Sequence, residues 1–400
     1  MGLEFNEAKG ILAPIKKQSV RERNMAIKNI RRRSILGVSA ITLLFAVPVK
    51  AAENILTYTG DDRTSKLVAG AKKEGKLTLY SALTVNQALR PLTEGFKKKY
   101  PFVETEFWRG SSRQIAKKVN AEIRANSLVA DVLEGSGLSQ IMVKAKGVVK
   151  FTTPLTKGID KKFLDPNDQW IPSRFSYFGT AYNTKIIPAG SQPKTFNDLL
   201  DPKWKGKIAW RIGSETGALL FITNIRQILG DKKADGYFQK LSAQGLINFR
   251  GSARTLVNRV VQGEYPLAIQ IFAHHPVISA KKGAPVATQM MEPVASVNGT
   301  IMIPRGVKNP HTALLFVDYY LSKEGQEVLK KARYFPVAAG VKPRKELTPL
   351  VPALAGLKEN FVSPATLFEN RKSSTAAFNK YFKHGKTVTV KKKKKKNKKQ

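Results

Sequence analysis

Residues 76–134 read KLTLYSALTVNQALRPLTEGFKKKYPFVETEFWRGSSRQIAKKVNAEIRANSLVADVLE. This stretch alternates short strand-like runs with longer runs in which apolar residues recur every three to four positions. The predicted strands are 76–81, 103–108 and 130–134, and the predicted helices are 86–100 and 113–125. A βαβαβ series of this kind indicates an α/β fold, in which helices flank a mostly parallel sheet.

A second unit with the same alternation follows. Its predicted strands are 208–210, 248–250 and 264–271, and its predicted helices are 217–229, 236–244 and 253–262. A strand at 296–303 then returns the chain to the first unit, which helices at 311–321 and 323–332 complete. We therefore predict one unit at 76–178 plus 298–382 and another at 179–297.

Three Gly/Ser turns link a predicted strand to a predicted helix, at 109–112, 213–217 and 251–254. Free backbone N–H groups and the helix dipole make such starts suited to anions, and in open α/β sheets they lie where ligands bind. The alternative is that each serine only caps its helix. Because three such turns occur in two units and arginines flank two of them, we predict a shared anion-binding cleft.

The candidate donors to an anion are Ser111, Ser112, Ser214, Thr216, Ser252 and Arg254. Arg109, Tyr182 and His274 are further candidates for the lining of the cleft. The adjacent His274 and His275 suit either an anion or the start of a helix at Pro276. They have no third metal ligand at a recognisable spacing, so we predict neither a metal site nor a cofactor.

Two runs, LLDPKWKGK at 199–207 and LSKEGQ at 321–326, carry a family resemblance. Weaker matches are LYS at 79–81, FKKKYP at 96–101, ADV at 130–132, YNT at 182–184 and VQGEY at 261–265. Together they resemble the solute-binding proteins of bacterial ABC transporters that have the type 2 periplasmic fold. The similar branch includes binders of ferric iron, phosphonates and sugar phosphates.

The resemblance implies two α/β lobes joined by a strand hinge, with a solute held between them. It also implies delivery to a membrane permease by closure on the ligand, with no chemistry on the solute. Ferric binders of this branch hold iron with two adjacent tyrosines, whereas this chain has Phe272-Ala273-His274-His275 at that place. The family's histidine and acidic ligand fall near Thr84 or Val85 and near Ser136, so ferric iron ranks second, with Tyr80, Tyr177 or Tyr182 as possible ligands.

Residues 1–51 have the features of an N-terminal extension followed by an export signal. Three arginines at 31–33 precede an apolar run at 35–47 and a small-residue cleavage site between Ala51 and Ala52. The apolar run is shorter than the roughly 20 residues that a membrane-spanning helix needs. We predict a periplasmic protein, exported by either the general or the twin-arginine route.

The net charge is +40, of which residues 1–51 hold +7 and residues 383–400 hold +10. We predict that the lysine-rich tail at 383–400 is disordered, and the remaining +23 favours anionic solutes. An exported protein is not expected to bind nucleic acid, although a basic adhesion or polymer-binding role stays open.

The chain has no cysteine and only four histidines. It lacks Gly-x-Ser-x-Gly, His-Glu-x-x-His and phosphate-loop motifs, so we predict that it is not an enzyme. The sequence thus predicts a monomeric receptor that binds a small carboxylate- or phosphate-type anion for an ABC importer.

Overall fold

The computed structural model describes residues 54–389, and the predicted signal sequence lies outside them. The first part of the chain forms α1 (Arg63–Glu74), β1 (Lys76–Ser81), α2 (Arg90–Lys99), β2 (Glu104–Arg109), α3 (Ser112–Arg124), β3 (Val132–Ser136), α4 (Ser139–Lys144) and β4 (Ile171–Asn183). Local chemistry sets several of these boundaries. Ser111 and Gln114 form a reciprocal capping box that starts α3, and Gly75 ends α1 in the left-handed conformation (φ +65°).

The middle of the chain forms β5 (Ile208–Arg211), α5 (Leu220–Leu229), α6 (Asp231–Ser242), β6 (Ile247–Arg250), α7 (Ala253–Val261), β7 (Leu267–Phe272), α8 (His274–Ala280), β8 (Val286–Gln289) and β9 (Val294–Met302). The last part forms α9 (Pro310–Leu321), α10 (Lys323–Lys331), α11 (Pro352–Ala355), β10 (Glu359–Phe361), α12 (Pro364–Glu369), α13 (Arg371–Tyr381) and β11 (Thr387–Thr389).

The strands pair in the order β11-β6-β5-β7-β4-β9-β3-β1-β2, with β10 also on β9 and β8 also on β4. Strand β4 connects the two halves of this arrangement. Its residues 171–177 pair with β9, whereas 178–182 pair with β7, both antiparallel. We call the part built on β1, β2, β3 and β9 the first lobe, and the part built on β5, β6, β7 and β11 the second lobe.

Each lobe has its own apolar core. In the first lobe, Leu79 and Phe96 pack with Phe316 of α9. In the second lobe, Trp210 and Phe238 are fully buried, and the Trp210 indole N–H donates to the Asn248 amide oxygen at 2.8 Å. The two lobes therefore have separate apolar cores, and strand β4 is continuous from one lobe into the other.

The structure confirms the predicted α/β fold and its main strands and helices. The first predicted strand is β1 with identical bounds, and the predicted helix 253–262 is α7, one residue shorter. Helix α1 was not predicted, and the predicted helix 236–244 begins earlier, at Asp231. Within residues 54–389, none of the helices combines the length and apolar character that spanning a membrane requires.

The assignment of residues 298–382 to the first lobe is wrong at its C-terminal end. Helix α13 packs on the second lobe, where the ring of Phe382 lies 4.8 Å from that of Trp210. The predicted disordered tail also begins too early, because β11 pairs in parallel with β6. Ala377 and Phe378 of α13 pack in the second core, and the local sequence does not specify which core they will meet. Residues 390–400 lie outside the described part of the chain.

We predict that Phe382→Ala destabilises the second lobe by about 3–5 kcal/mol, because it empties a buried aromatic site against Trp210. Urea unfolding followed by tryptophan fluorescence measures the effect. The matched control is Leu354→Ala, at a side chain that is 53% exposed, which should cost less than about 0.5 kcal/mol. Equal effects of the two substitutions would contradict the packing of α13 on this core.

Candidate functional site

A cavity of about 450 Å³ lies between the two lobes. Its lining is rich in arginine, hydroxyl and histidine side chains and combines residues from the ends of β2, β3, β5, β6 and β7 with residues of the hinge strand β4. The polar residues of the lining include Arg109, Ser111, Ser112, Arg113, Ser136, Arg174, Arg211, Ser214, Glu215, Thr216, Arg250, Ser252, Arg254, His274, His275 and Tyr334. The cavity is therefore where the carboxyl ends of several parallel strands meet, as expected for an α/β ligand site.

Helix-start serines at this cavity have structural roles of their own. Ser252 Oγ accepts the backbone N–H of Thr255 at 3.0 Å and caps α7, while Ser111 caps α3 through Gln114. Ser112 Oγ donates to the carbonyl of Ser136 at 2.8 Å. These hydroxyls hold the turns in shape, and the early backbone N–H groups of the helices remain available to an anion.

At the 213–217 turn, the hydroxyl groups are arranged differently. Ser214 Oγ makes no cap and lies 3.3 Å from Thr216 Oγ1, which accepts a hydrogen bond from Arg211 Nη2 at 2.5 Å. The turn therefore presents two hydroxyls and one guanidinium side by side. This combination can donate several hydrogen bonds to one oxyanion.

Six arginines line the cavity, and two of them have carboxylate partners. Arg174 is buried and pairs with the buried Glu134, and Arg113 pairs with Glu215 at 2.8 Å. Across residues 54–389, no carboxylate forms an ion pair with the other four, which are Arg109, Arg211, Arg250 and Arg254. The site therefore has an excess of positive charge that its own acidic residues do not balance.

Arg211 is the least favourably placed of these cations. Its Nε is buried and has no hydrogen-bond partner within the described residues. Burial, together with the charge of Arg109 from the opposite lobe, lowers the pKa of Arg211 to about 10. Two guanidinium groups of different lobes thus repel each other across the cavity, and a bound anion would relieve that repulsion.

His274 and His275 begin α8 beside arginines, and His274 is buried whereas His275 is half-buried. Neither ring nitrogen of His274 has a hydrogen-bond partner in the described chain, and its side chain is 1% exposed. Burial, and then the charges of Arg174 and Arg254, lower the pKa of His274 to about 3. Burial also lowers the pKa of His275 well below its usual range. Both rings are neutral at pH 7, and each can donate one hydrogen bond to an anion.

The two lobes also touch directly at the edge of the cavity. Glu215 of the second lobe accepts from Arg113 Nε at 3.0 Å and Nη2 at 2.8 Å, both donors belonging to the first lobe. Gly137 lies against the aliphatic part of the same side chain, since a β-carbon there would be 2.9 Å from Glu215 Cβ, and its φ of +72° also favours glycine. The structure therefore describes lobes in contact, held in part by an ion pair.

The structure brings eight of the nine predicted residues into one cavity lining, namely Ser111, Ser112, Ser214, Thr216, Ser252, Arg254, Arg109 and His274. Their role in binding a ligand stays a prediction. Tyr182 is wrong as a cleft residue, because it is 8% exposed and packs in the core of the second lobe. Tyr182 lies near the C-terminal end of β4, where the strand pairs with β7 inside the second lobe.

The sequence analysis did not select Arg174, Arg211 or Tyr334 as binding residues, and it considered His275 only as part of the pair with His274. A signal was present for the two arginines. Arg211 ends a strand immediately before a Gly/Ser turn, and Arg174 is the only charged residue in the stretch IPSRFSYFGTAYN at 171–183. Tyr334 had no such signal, because it follows α10 and reaches the cavity only through the packing of the first lobe.

The donor set fits a metal poorly. In the part of the chain that the structure describes, no three His, Asp or Glu side chains gather closely enough to hold a metal ion. The tyrosines considered as iron ligands, Tyr80, Tyr177 and Tyr182, do not line the cavity, which contains Tyr334 and the arginine-bound Glu215 instead. The arrangement is suited to binding an anion through guanidinium, hydroxyl and imidazole groups.

Comparison with known proteins relates this chain to extracellular solute-binding proteins. The model of the family described as bacterial extracellular solute-binding protein matches residues 131–352. An uncharacterised protein of Haemophilus influenzae is 28% identical over 287 residues, covering 67% of this chain and 81% of the relative. The periplasmic binding protein AfuA from Actinobacillus pleuropneumoniae, solved with fructose 6-phosphate bound, is 27% identical with a TM-score of 0.68, covering 78% of this chain and 100% of AfuA. Iron-bound HitA from Pseudomonas aeruginosa shares the fold at 22% identity and a TM-score of 0.66, covering 77% and 99%.

We predict that the ligand-free protein loses stability as the pH falls below about 6.5. The folded-state pKa of His274 is about 3, below the unfolded value, so the neutral ring contributes stability that is complete above pH 6.5 and is lost towards pH 3. His274→Asn should therefore make the fall in unfolding free energy shallower by up to about 1.4 kcal/mol per pH unit in this range.

Chemical denaturation between pH 7 and pH 4.5 measures this slope. The matched control is His384→Asn, at an exposed histidine outside the cavity, which should leave the slope unchanged. If His274→Asn and His384→Asn gave the same slope as the parent protein, His274 would not be a buried neutral histidine.

Proposed function

Since this chain belongs to the bacterial extracellular solute-binding protein family, we propose that it captures a small organic anion of the phosphate type in the cavity between its lobes and delivers it to the permease of an ABC importer. The family consists of solute-binding proteins rather than enzymes, and its members work with ABC permeases outside the cytoplasm. A periplasmic location follows for this chain.

One observation carries the choice of an anion. Arg211 and Arg254 are half-buried and line the cavity. Within the described residues, neither guanidinium forms an ion pair with a carboxylate. Desolvating a cation without a partner is unfavourable, and protein interiors almost always pair such charges. A bound anion supplies the missing partner for both.

The kind and number of donors favour a phosphate over a single carboxylate. Guanidinium, hydroxyl, imidazole and helix-start N–H groups converge from both lobes, whereas a lone carboxylate offers only two oxygens. The 27% identical AfuA was solved with fructose 6-phosphate, which is a phosphate ester of a size that the cavity of about 450 Å³ can hold.

Ferric iron is the weaker alternative for physical reasons. A trivalent cation would enter a cavity that already holds four guanidinium groups without carboxylate partners. Its carboxylate ligand would have to be Glu215, which is already bound by Arg113. The resemblance to iron-bound HitA, at 22% identity, concerns the fold.

The fold suggests how binding is linked to transport. Strand β4 passes from one lobe into the other, so a rotation about its middle would open the cavity between the lobes. An anion bound between Arg109 and Arg211 favours closure, because it replaces a repulsion across the cavity with two attractions. We propose that a monomer suffices for this cycle.

We predict that fructose 6-phosphate, used as a probe, binds to the protein in isothermal titration calorimetry and that Arg211→Gln weakens its affinity about 10- to 100-fold, the loss expected for a charge-assisted hydrogen bond. The same substitution should lower the stability of the ligand-free protein by no more than about 1 kcal/mol, because it removes a cation that lacks a carboxylate partner.

The matched control is Arg259→Gln, which breaks a surface pair with Glu264 at 2.6 Å outside the cavity and should leave the affinity unchanged. Ferric citrate in the same titration serves as the rival ligand. Tight binding of iron without binding of any phosphate ester would overturn the proposal.

Truncation separates solute capture from the adhesion alternative. We predict that removal of residues 390–400 changes the affinity for the phosphate ester less than twofold, because the cavity is lined entirely by residues between 82 and 334. Removal of residues 383–400 also deletes β11 and should lower the melting temperature. If loss of 390–400 abolished solute binding, the tail would be part of the function.

A further inference from the structure

We propose that Arg113 and Arg371 tune the affinity for the solute by competing for the carboxylate of Glu215. Arg113 favours the arrangement in which the lobes are together, and Arg371 favours the arrangement in which they are apart. Both are positioning residues, because they act through Glu215. This inference rests on the proposed function, since the affinity in question is that of the cavity for its solute.

Glu215 of the second lobe is buried at the contact between the lobes. Its side chain is 7% exposed. Gly137 of the first lobe lies so close that a β-carbon there would be 2.9 Å from Glu215 Cβ. Burying a carboxylate is unfavourable unless a cation pairs with it. The cations that pair with Glu215 therefore influence which arrangement of the lobes is more stable.

Arg113 is the partner from the opposite lobe. It belongs to α3, and its Nε and Nη2 donate to Glu215 Oε1 at 3.0 and 2.8 Å. A rotation about β4 that parts the lobes would carry α3 away from Glu215 and break both hydrogen bonds. This pair therefore stabilises only the arrangement in which the lobes are together.

Arg371 is the partner from the same lobe. It begins α13, which is joined to α5 by a hydrogen bond of 2.9 Å between the hydroxyls of Ser374 and Thr223. Arg371 Nε lies 3.6 Å from Glu215 Oε1, the same oxygen that Arg113 uses. This distance is longer than a hydrogen bond, so Arg371 is the weaker of the two partners while Arg113 is present.

The two arginines favour opposite arrangements because only one of them moves with Glu215. When the lobes part, Arg113 withdraws, whereas Arg371 stays beside the carboxylate and keeps it paired. A solute that binds between closed lobes gains affinity from any contact that is stronger in the closed arrangement than in the open one. Arg113 is therefore expected to raise the affinity, and Arg371 is expected to lower it.

The first test measures the affinity for fructose 6-phosphate by calorimetry. We expect Arg113→Gln to weaken binding about 3- to 10-fold, and Arg371→Gln to tighten it about twofold, as for ion pairs with one exposed partner. In a Glu215→Gln background, Arg113→Gln should have no further effect, because its partner is gone. If the loss of affinity persists in that background, Arg113 contacts the solute directly and the competition is refuted.

The second test needs no solute. Small-angle X-ray scattering of the ligand-free proteins should give a larger radius of gyration for Arg113→Gln than for the parent, and no increase for Arg371→Gln. The matched control is Arg259→Gln, whose pair with Glu264 lies within the second lobe and should change neither measurement. Circular dichroism establishes that each variant is folded, and Arg113→Lys replaces Arg113→Gln if the latter is not.

The outcomes separate this inference from the proposed function. If fructose 6-phosphate does not bind to the parent protein, the proposed function fails, and the scattering alone decides whether the two arginines set the arrangement of the lobes. If the parent binds it but both substitutions weaken binding, the proposed function stands and the competition is refuted. An unchanged radius of gyration in Arg113→Gln refutes the competition as well.

Discussion

The repulsion between unpartnered arginines in the cavity is the constraint on which the rest of this structure depends. Arg211 of the second lobe faces Arg109 of the first, and burial holds the pKa of Arg211 down at about 10. Such an arrangement lowers the stability of the ligand-free protein, and it persists because each lobe has a large apolar core of its own. Under the proposed function, a bound anion would convert this unfavourable feature into an interaction that joins the lobes.

Strand β4 and the ion pair between Arg113 and Glu215 both bear on how the two lobes would close on a ligand. Strand β4 keeps the lobes connected while their relative position changes, and Arg113 and Glu215 attract each other when the lobes meet. The repulsion between Arg109 and Arg211 opposes this attraction between the lobes. In the proposed function, the ligand decides closure, because an anion between Arg109 and Arg211 would remove the repulsion that opposes it.

Much of the fold could be predicted because its determinants are local. Strand β1 and helix α3 follow from apolar periodicity and from the capping box of Ser111 and Gln114. The Gly/Ser turns pointed to the cavity for the same reason, since a turn after a parallel strand lies at the edge where ligands bind. Eight of nine candidate residues share one lining as a result.

What could not be predicted depends on contacts between segments that are distant in the sequence. The place of α13 is fixed by Phe382 against Trp210, and nothing near residue 382 identifies that partner. Tyr182 was misplaced because β4 runs through both lobes. The sequence does not show where along this strand the side chains stop facing the cavity and enter the core of the second lobe. The charge excess at Arg211 became visible only when the residues around it were known.

The most direct test of the central claim is native mass spectrometry of the protein recovered from its native compartment without refolding. The account predicts an added mass that matches a phosphorus-containing organic anion and that is absent from Arg211→Gln. An added mass of one iron atom, retained in Arg211→Gln, would contradict it and would move the ligand to a site built on different residues.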